Sequence, residues 1–495
     1  MKKNIALMFT ALCLLTNGCT SFLNVETLGK STIGGFFSDL DGLRSAGIGL
    51  HYLMLDFVDD EYFFLADVAA DNTNVKRVNA GLEETKIFDF TNLAEDTSGY
   101  PRTSWKSGYE ICTNANNILT YGKPLLEKYP ESADLINVHF AYALFARAYA
   151  TFCLTNIYAQ CYGYTPDASH PGVVPIGEIP GFDTVLKRAS VSDCYDMIVS
   201  DLEKALELFG SGSCPDPHYI NGLACEALLA RVMLYKGEFA KASELASKVI
   251  AAKPLTPRED YVNMFRKAQD VVGSEAILRL NSYNTTSTIG NKCDPTRSKM
   301  SLVPTDSFLD SFESGDIRRE LYTYYAEAAD GEQFEGLVAT ACCKNIAFKD
   351  GVEDVMNRRC DPFVLRVSEM YLIRAEAQCR MAGGDLSLAA DDLKTIMARA
   401  LGKDKSQIGI NASSAEALDR LIQEEKSREL YMEGHRFFDI KRRQEDLVRP
   451  QGTTSLLRTL KYPDYRFVLP IDQVEMESNL YMIQNEGYNG RKTLD

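Results

Sequence analysis

The chain has 495 residues, 45% of them hydrophobic, and a formal net charge of −16. That length gives one large domain or two smaller ones, and the composition is that of a globular fold rather than a disordered chain. The negative balance argues against nucleic acid as a partner, because phosphate backbones call for a basic surface; glycans and peptides stay open as ligands.

The first residues have the pattern of an export signal. Lys2 and Lys3 precede an apolar run from Ile5 to Leu15. At 1.5 Å per residue that run covers roughly half of the ~30 Å hydrocarbon core, too little for a permanent span. Thr16-Asn17-Gly18-Cys19 follows and resembles a lipobox, with Thr16 where leucine is usual. The expectation is a leader over 1–18, cleavage before Cys19 and lipidation there; the plainer alternative is a secretory signal with an incidental cysteine. No later run reaches the ~18 apolar residues of a membrane helix.

Further along, helical patterns dominate. His139 to Gln160 is apolar nearly all round, which predicts a helix buried on most faces. Val191 to Phe209 is amphipathic, with Tyr195, Ile198, Leu202, Ala205 and Leu206 on one face and Ser192 as its expected cap. Two stretches, Ala227 to Pro254 and Tyr371 to Ala400, repeat each other. Ala230 precedes Gly237 and Ala377 precedes Gly384 by seven; Phe239 and Leu386 follow by two, Ala242 and Ala389 by five. Small residues at helix contacts and a glycine in the turn make the tetratricopeptide pattern. The copies lie far apart, so other material is inserted between them. Ala66 to Thr97 and Tyr283 to Arg359 are irregular, and irregular segments on a rigid helical scaffold are where binding residues concentrate.

Catalytic patterns are sparse. The five histidines lie outside metal-ligand spacing of one another, and no nucleophile elbow, P-loop or dinucleotide fingerprint occurs. A glycosidase carboxylate pair is not legible in sequence. Eleven cysteines remain after Cys13 and Cys19, an odd number, several within helical patterns, and they are expected to be mostly structural and reduced. Glu424 to Arg443 is the densest charged segment. Glu425, Arg428, Glu429, Glu433, Arg436 and Asp439 recur every three or four residues, spacings at which opposite charges pair along a helix; the expectation is a partly buried ion-pair network tying the last helices to the repeat, and the alternative is an acid–base or metal cluster.

Several motifs together resemble one family. They are Phe22-Leu23-Asn24-Val25; Trp105, Tyr109 and Asn114-Ala115-Asn116; Arg147-Ala148-Tyr149 with Tyr162-Gly163; Arg366 through Ala377; Glu425 through Arg442; and Leu469-Pro470-Ile471 with Gln484-Asn485 and Gly487-Tyr488. Asp472 and Glu486 stand where the family carries prolines. The chain resembles the SusD/RagB family of nutrient-binding lipoproteins of the Bacteroidota, essentially end to end. The resemblance implies a mostly α fold, a tetratricopeptide-like platform of helical pairs carrying an irregular, loop-rich ligand-binding half. It implies one interleaved unit with an N-terminal region over 19–215 and a C-terminal region over 216–495. It also implies a lipid-anchored position on the outer membrane, beside a SusC-like TonB-dependent transporter that receives an oligosaccharide or, less often, a peptide. No enzyme activity, cofactor or metal is implied.

Glycan sites present aromatic faces ringed by polar groups. The one tryptophan, Trp105, falls in a scaffold helix, so tyrosines and polar loop residues are the candidates. These are Asp71, Asn72, Asn74, Lys76 and Arg77 in the first irregular stretch, and Tyr283, Asn284, Tyr322, Tyr324 and Tyr325 in the second.

Overall fold

The computed structural model describes residues 32–96, 98–266, 274–282, 288–294, 300–325, 338–340, 344 and 361–493. Helices make the frame. In order these are α1 (Leu40–Asp56), α2 (Leu82–Asp89), α3 (Tyr100–Tyr121), α4 (Ala133–Tyr158), α5 (Val191–Phe209), α6 (Gly222–Lys236), α7 (Phe239–Ala252), α8 (Arg258–Arg266), α9 (Val367–Arg380), α10 (Leu386–Leu401), α11 (Ala415–Glu429), α12 (Arg436–Arg442) and α13 (Gln473–Ser478). Strands are short and pair antiparallel: β1 (Thr73–Val75) with β3 (Leu302–Pro304), β2 (Ala276–Arg279) with β6 (Phe363–Arg366), β4 (Thr323–Tyr325) with β5 (Val338–Thr340), and β7 (Leu447–Val448) with β8 (Thr459–Leu460). Among the described residues no helix is long and apolar enough to cross a membrane.

Each helix packs on the next in a row, α3 on α4, α4 on α5, α5 on α6, α6 on α7, α7 on α9, and α9 on both α10 and α11. As its composition predicts, α4 is buried on every face from His139 to Tyr158 except at Tyr142. One node joins its neighbours: the Arg147 guanidinium holds Asp201 of α5 with two 2.7 Å bonds and donates to Asn116 of α3. Helix α5 spans the expected residues, but its cap is Ser190 rather than Ser192. The Ser190 hydroxyl accepts from the Asp193 amide at 3.0 Å and the Asp193 carboxylate accepts back, a reciprocal box that Ser192, already inside the helix, cannot make.

The two repeat copies are the pairs α6–α7 and α9–α10. Ala230, Ala242, Ala377 and Ala389 are all fully buried where the paired helices touch. Because α7 packs directly on α9, everything from 253 to 366 is inserted between two consecutive pairs. The insert closes on itself where β2 meets β6, with Ala276 opposite Arg366. One continuous apolar core runs from Phe37 to Met482, and a smaller one, with Leu372, Leu393 and Ile422, fills the space between α9, α10 and α11.

Candidate functional site

Three segments far apart in sequence meet on the irregular side: 69–90, 300–305 and 449–457. Strand β1 pairs with β3, Asn74 opposite Val303, and the pairing extends through Lys76 N to Ser301 O at 2.7 Å and Thr305 N to Asn72 O at 2.8 Å. Arg449 ties the C-terminal segment to the first. Its fully buried guanidinium donates to the carbonyls of Ala69, Ala70 and Phe88 and lies 4.4 Å above the Phe88 ring. Burial draws its pKa down to about 10, so it stays charged at neutral pH.

The first set of predicted residues is gathered here, with most of its polar atoms engaged internally. Asp71 takes two bonds from Arg436, at 2.8 and 2.7 Å. Burial pushes that carboxyl up, but the charge and hydrogen bonds of Arg436 outweigh it and hold it below its ordinary range. Asn72 donates to the Ser427 hydroxyl at 2.6 Å. Asn74 accepts from the amide and hydroxyl of Thr454, at 2.9 and 2.8 Å. Arg77 grips both oxygens of Asp89 and donates to Thr454 O. Asp71 and Asn72 are thus struts to α12 and α11, and Asn74 and Arg77 are struts to the 449–457 segment. Lys76 is exposed, with no side-chain partner among the described residues, and Val78 and Leu456 stand beside the struts almost wholly in solvent, 94% and 79% exposed.

Of the second set, Tyr322 needs correction. It is 1% exposed, in a ring cluster with Phe308 and Phe312 at 5.4 Å and Tyr431 at 5.6 Å. Its apolar ring fills the core under β1, and no ring face is left for a sugar. Tyr324 and Tyr325 lie in β4, paired with Ala339 and Val338. Tyr283, Asn284 and Cys19 lie outside the described residues.

The charged segment forms a network that ties the last helices to the repeat, as expected, mostly across elements and only in part along one helix. Glu429 accepts from Arg366 at 2.6 Å, Arg399 at 2.5 Å, Arg318 at 3.1 Å and the Tyr261 hydroxyl at 3.1 Å. Glu433 accepts from Arg366 and Lys344. Only Glu425–Arg428 and Asp439–Arg442 pair at helical spacing, because α11 ends at Glu429 and the chain turns before α12. Burial alone would raise the Glu429 carboxyl, yet the three guanidiniums and Lys344 hold it well below its ordinary range. Such a carboxylate is locked as an ion and cannot cycle a proton. Among the described residues no group of histidine, cysteine and acidic side chains is placed to hold a metal. Cys112, Cys153, Cys161, Cys194, Cys225 and Cys379 are in no disulfide, and burial pushes the Cys112 thiol up to about 12 and that of Cys194 to about 11. Sequence reasoning missed Arg449 and Tyr431; the serine- and threonine-rich turn at 453–455 was the one signal near them.

Residues 59–234 match a family model described as "Starch-binding associating with outer membrane", and residues 322–488 match the model of the SusD family. The chain belongs to the SusD family. Similar solved structures include a SusD superfamily protein from Bacteroides vulgatus, 23% identical with a TM-score of 0.76, covering 91% of this chain and 99% of that one. A SusD superfamily protein from Bacteroides thetaiotaomicron is 23% identical with a TM-score of 0.75, over 90% and 99%. A SusD-like carbohydrate binding protein from Bacteroides vulgatus is 21% identical with a TM-score of 0.68, over 90% and 97%. No curated protein sequence matches the chain.

Proposed function

We propose that this protein captures an oligosaccharide at the cell surface and passes it, uncleaved, to a SusC-like TonB-dependent transporter of the outer membrane. The observation that carries this reading is the match of residues 59–234 to a starch-binding, outer-membrane-associating family, on a fold shared with a carbohydrate binding protein. The leader over 1–18 and lipidation at Cys19 would hold the protein beside its transporter. Ligand contacts would come from the insert, through Tyr283, Asn284, Tyr324 and Tyr325, and from the open ammonium of Lys76 on the adjoining face. The residues locked in ion pairs argue for binding without catalysis.

Calorimetry of the mature protein against plant, host and microbial oligosaccharides tests the reading, with binding and no turnover expected. Cys19→Ala should leave that binding intact and abolish surface labelling of whole cells; unchanged labelling would refute the anchor. One observation favours a peptide or glycopeptide instead: the only tryptophan is 6% exposed, its ring against Tyr158 and Tyr109, so it offers a sugar no open face. Native mass spectrometry of protein purified from its own host would then reveal bound peptide.

A further inference from the structure

A groove of 470 Å³ runs along the outside of α3 and shares no lining residue with the β1–β3 face. It lies within the ~300–1,000 Å³ of small-molecule sites. Arg102, Trp105, Lys106, Tyr109, Glu110 and Thr113 form one wall, a single stripe of α3 at helical spacing. The 174–186 segment and α13 form the other, with Val174, Ile176 and Leu186 apolar and Asp472, Glu475 and Asn479 polar.

The groove is built, not merely left over. The Tyr109 hydroxyl both donates to Val174 O, at 3.0 Å, and accepts from Val174 N, at 2.8 Å, which pins the two walls together. Asn479 donates to Leu186 O at 2.9 Å and joins α13 to the same wall. Two side chains more than nine-tenths buried nevertheless keep a polar atom unengaged. The Trp105 indole N–H has no acceptor among the described residues. Asp472 caps α13 through one oxygen, accepting from the Val474 and Glu475 amides, while its other oxygen has no donor among the described residues. Both residues line the groove. Neither atom is sealed in the interior, so both remain reachable by solvent, and a donor and an acceptor left open on residues lining one groove suit an outside partner with both functions. Lys106 and Glu110, exposed and one turn apart on α3, likewise carry no ion pair among the described residues.

From this geometry we infer that the groove is a second carbohydrate subsite, which takes the end of a neutral oligosaccharide. A sugar hydroxyl donates and accepts at once, as the Trp105 and Asp472 pair asks. Sugar C–H faces suit the floor of Tyr109, Val174, Ile176 and Leu186. The rim mixes both signs, so an ionic ligand gains little over a neutral one. The subsite rests on the carbohydrate reading of the family and would give a long glycan a second hold away from the insert.

Trp105 is the only tryptophan, so intrinsic emission reports on this groove alone. The experiment titrates the mature full-length chain with maltotriose, cellotriose and mannotriose, following emission and calorimetric heat together. The subsite predicts a saturable emission change with at least one trisaccharide, and roughly tenfold weaker binding by that signal in Lys106→Ala and Glu110→Ala. Both substitutions fall on exposed positions and leave the wall contacts intact. Heat without an emission change overturns the subsite and leaves the proposed function standing. An emission change that both variants retain in full also overturns it. Neither heat nor emission change with any of the three counts against the subsite and the carbohydrate reading together.

Discussion

Glu61 sits in the π-helical turn Phe57–Phe63 with its carboxylate against two hydroxyls, Ser104 at 2.6 Å and Thr103 at 3.0 Å. Burial raises its pKa from 4.5 to about 7, and the two hydrogen bonds recover only part of that shift. The folded protein therefore holds a proton there that the unfolded chain releases between pH 4.5 and 7. Stability falls as pH rises through that window, and the full cost is present above it. Glu61→Gln keeps an acceptor for both hydroxyls and has no charge to bury. Its urea midpoint should match the wild type at pH 4 and exceed it at pH 8, by about 2 to 3 kcal/mol in unfolding free energy. Equal differences at both pH values would show that Glu61 is ionised in the fold. At this same scale the sequence was least informative about the site. Asp71 and Asn74 were legible as polar residues in an irregular stretch, but their partners Arg436 and Thr454 lie 365 and 380 positions away. No local pattern distinguishes a strut from a ligand contact when the other end of the bond is that distant. Tyr322 misled for a related reason: its sequence surroundings are polar, and the rings that bury it come from Phe308, Phe312 and Tyr431.

The helical pairs were legible as elements, because alanine and glycine at fixed offsets state where two helices touch and where they turn. The two glycines nevertheless do different work. Gly237 ends α6 at φ +83°, in the left-handed region, with open space where a Cβ would stand. Gly384 needs room instead: a Cβ there would lie 1.9 Å from the Gln378 carbonyl oxygen, which belongs to the backbone of α9. Gly237→Ala should cost about 1 kcal/mol, and Gly237→Asn less, since asparagine tolerates that conformation. Gly384→Ala should cost more than Gly237→Ala, because a backbone carbonyl must shift, and asparagine should give no relief there. Urea unfolding of the four variants checks the contrast; equal costs at the two positions would contradict it. The same element scale explains the misplaced cap of α5. Ser190 and Ser192 are two residues apart, and the reciprocal bond with Asp193 selects between them.

Across the whole molecule Glu429 of α11 is the meeting point of α8, β6, α10 and the 316–321 turn, through Tyr261, Arg366, Arg399 and Arg318. Glu429→Gln leaves three buried guanidiniums with one charge fewer to face, and the loss of one partner from such a cluster costs about 3 to 5 kcal/mol. Because the insert is held to the platform through this node, its amides should gain hydrogen exchange before those of α4 and α5 do. Uniform acceleration across all helices would show that the node does not separate the two halves. That a charged network ties the last helices to the repeat was readable from the spacing of its acids and bases; which arginines it recruits was not, because each is contributed by a different part of the chain. The placement of the insert has one further result. It departs after α7 and returns before α9, and these two helices are direct neighbours. Its two ends are thus moored at one berth, and its length is invisible to the platform. Doubling such an excursion raises the closure cost by only about 0.6 kcal/mol. A lineage can lengthen, shorten or replace this excursion without disturbing the row of helices, so one frame can carry many specificities.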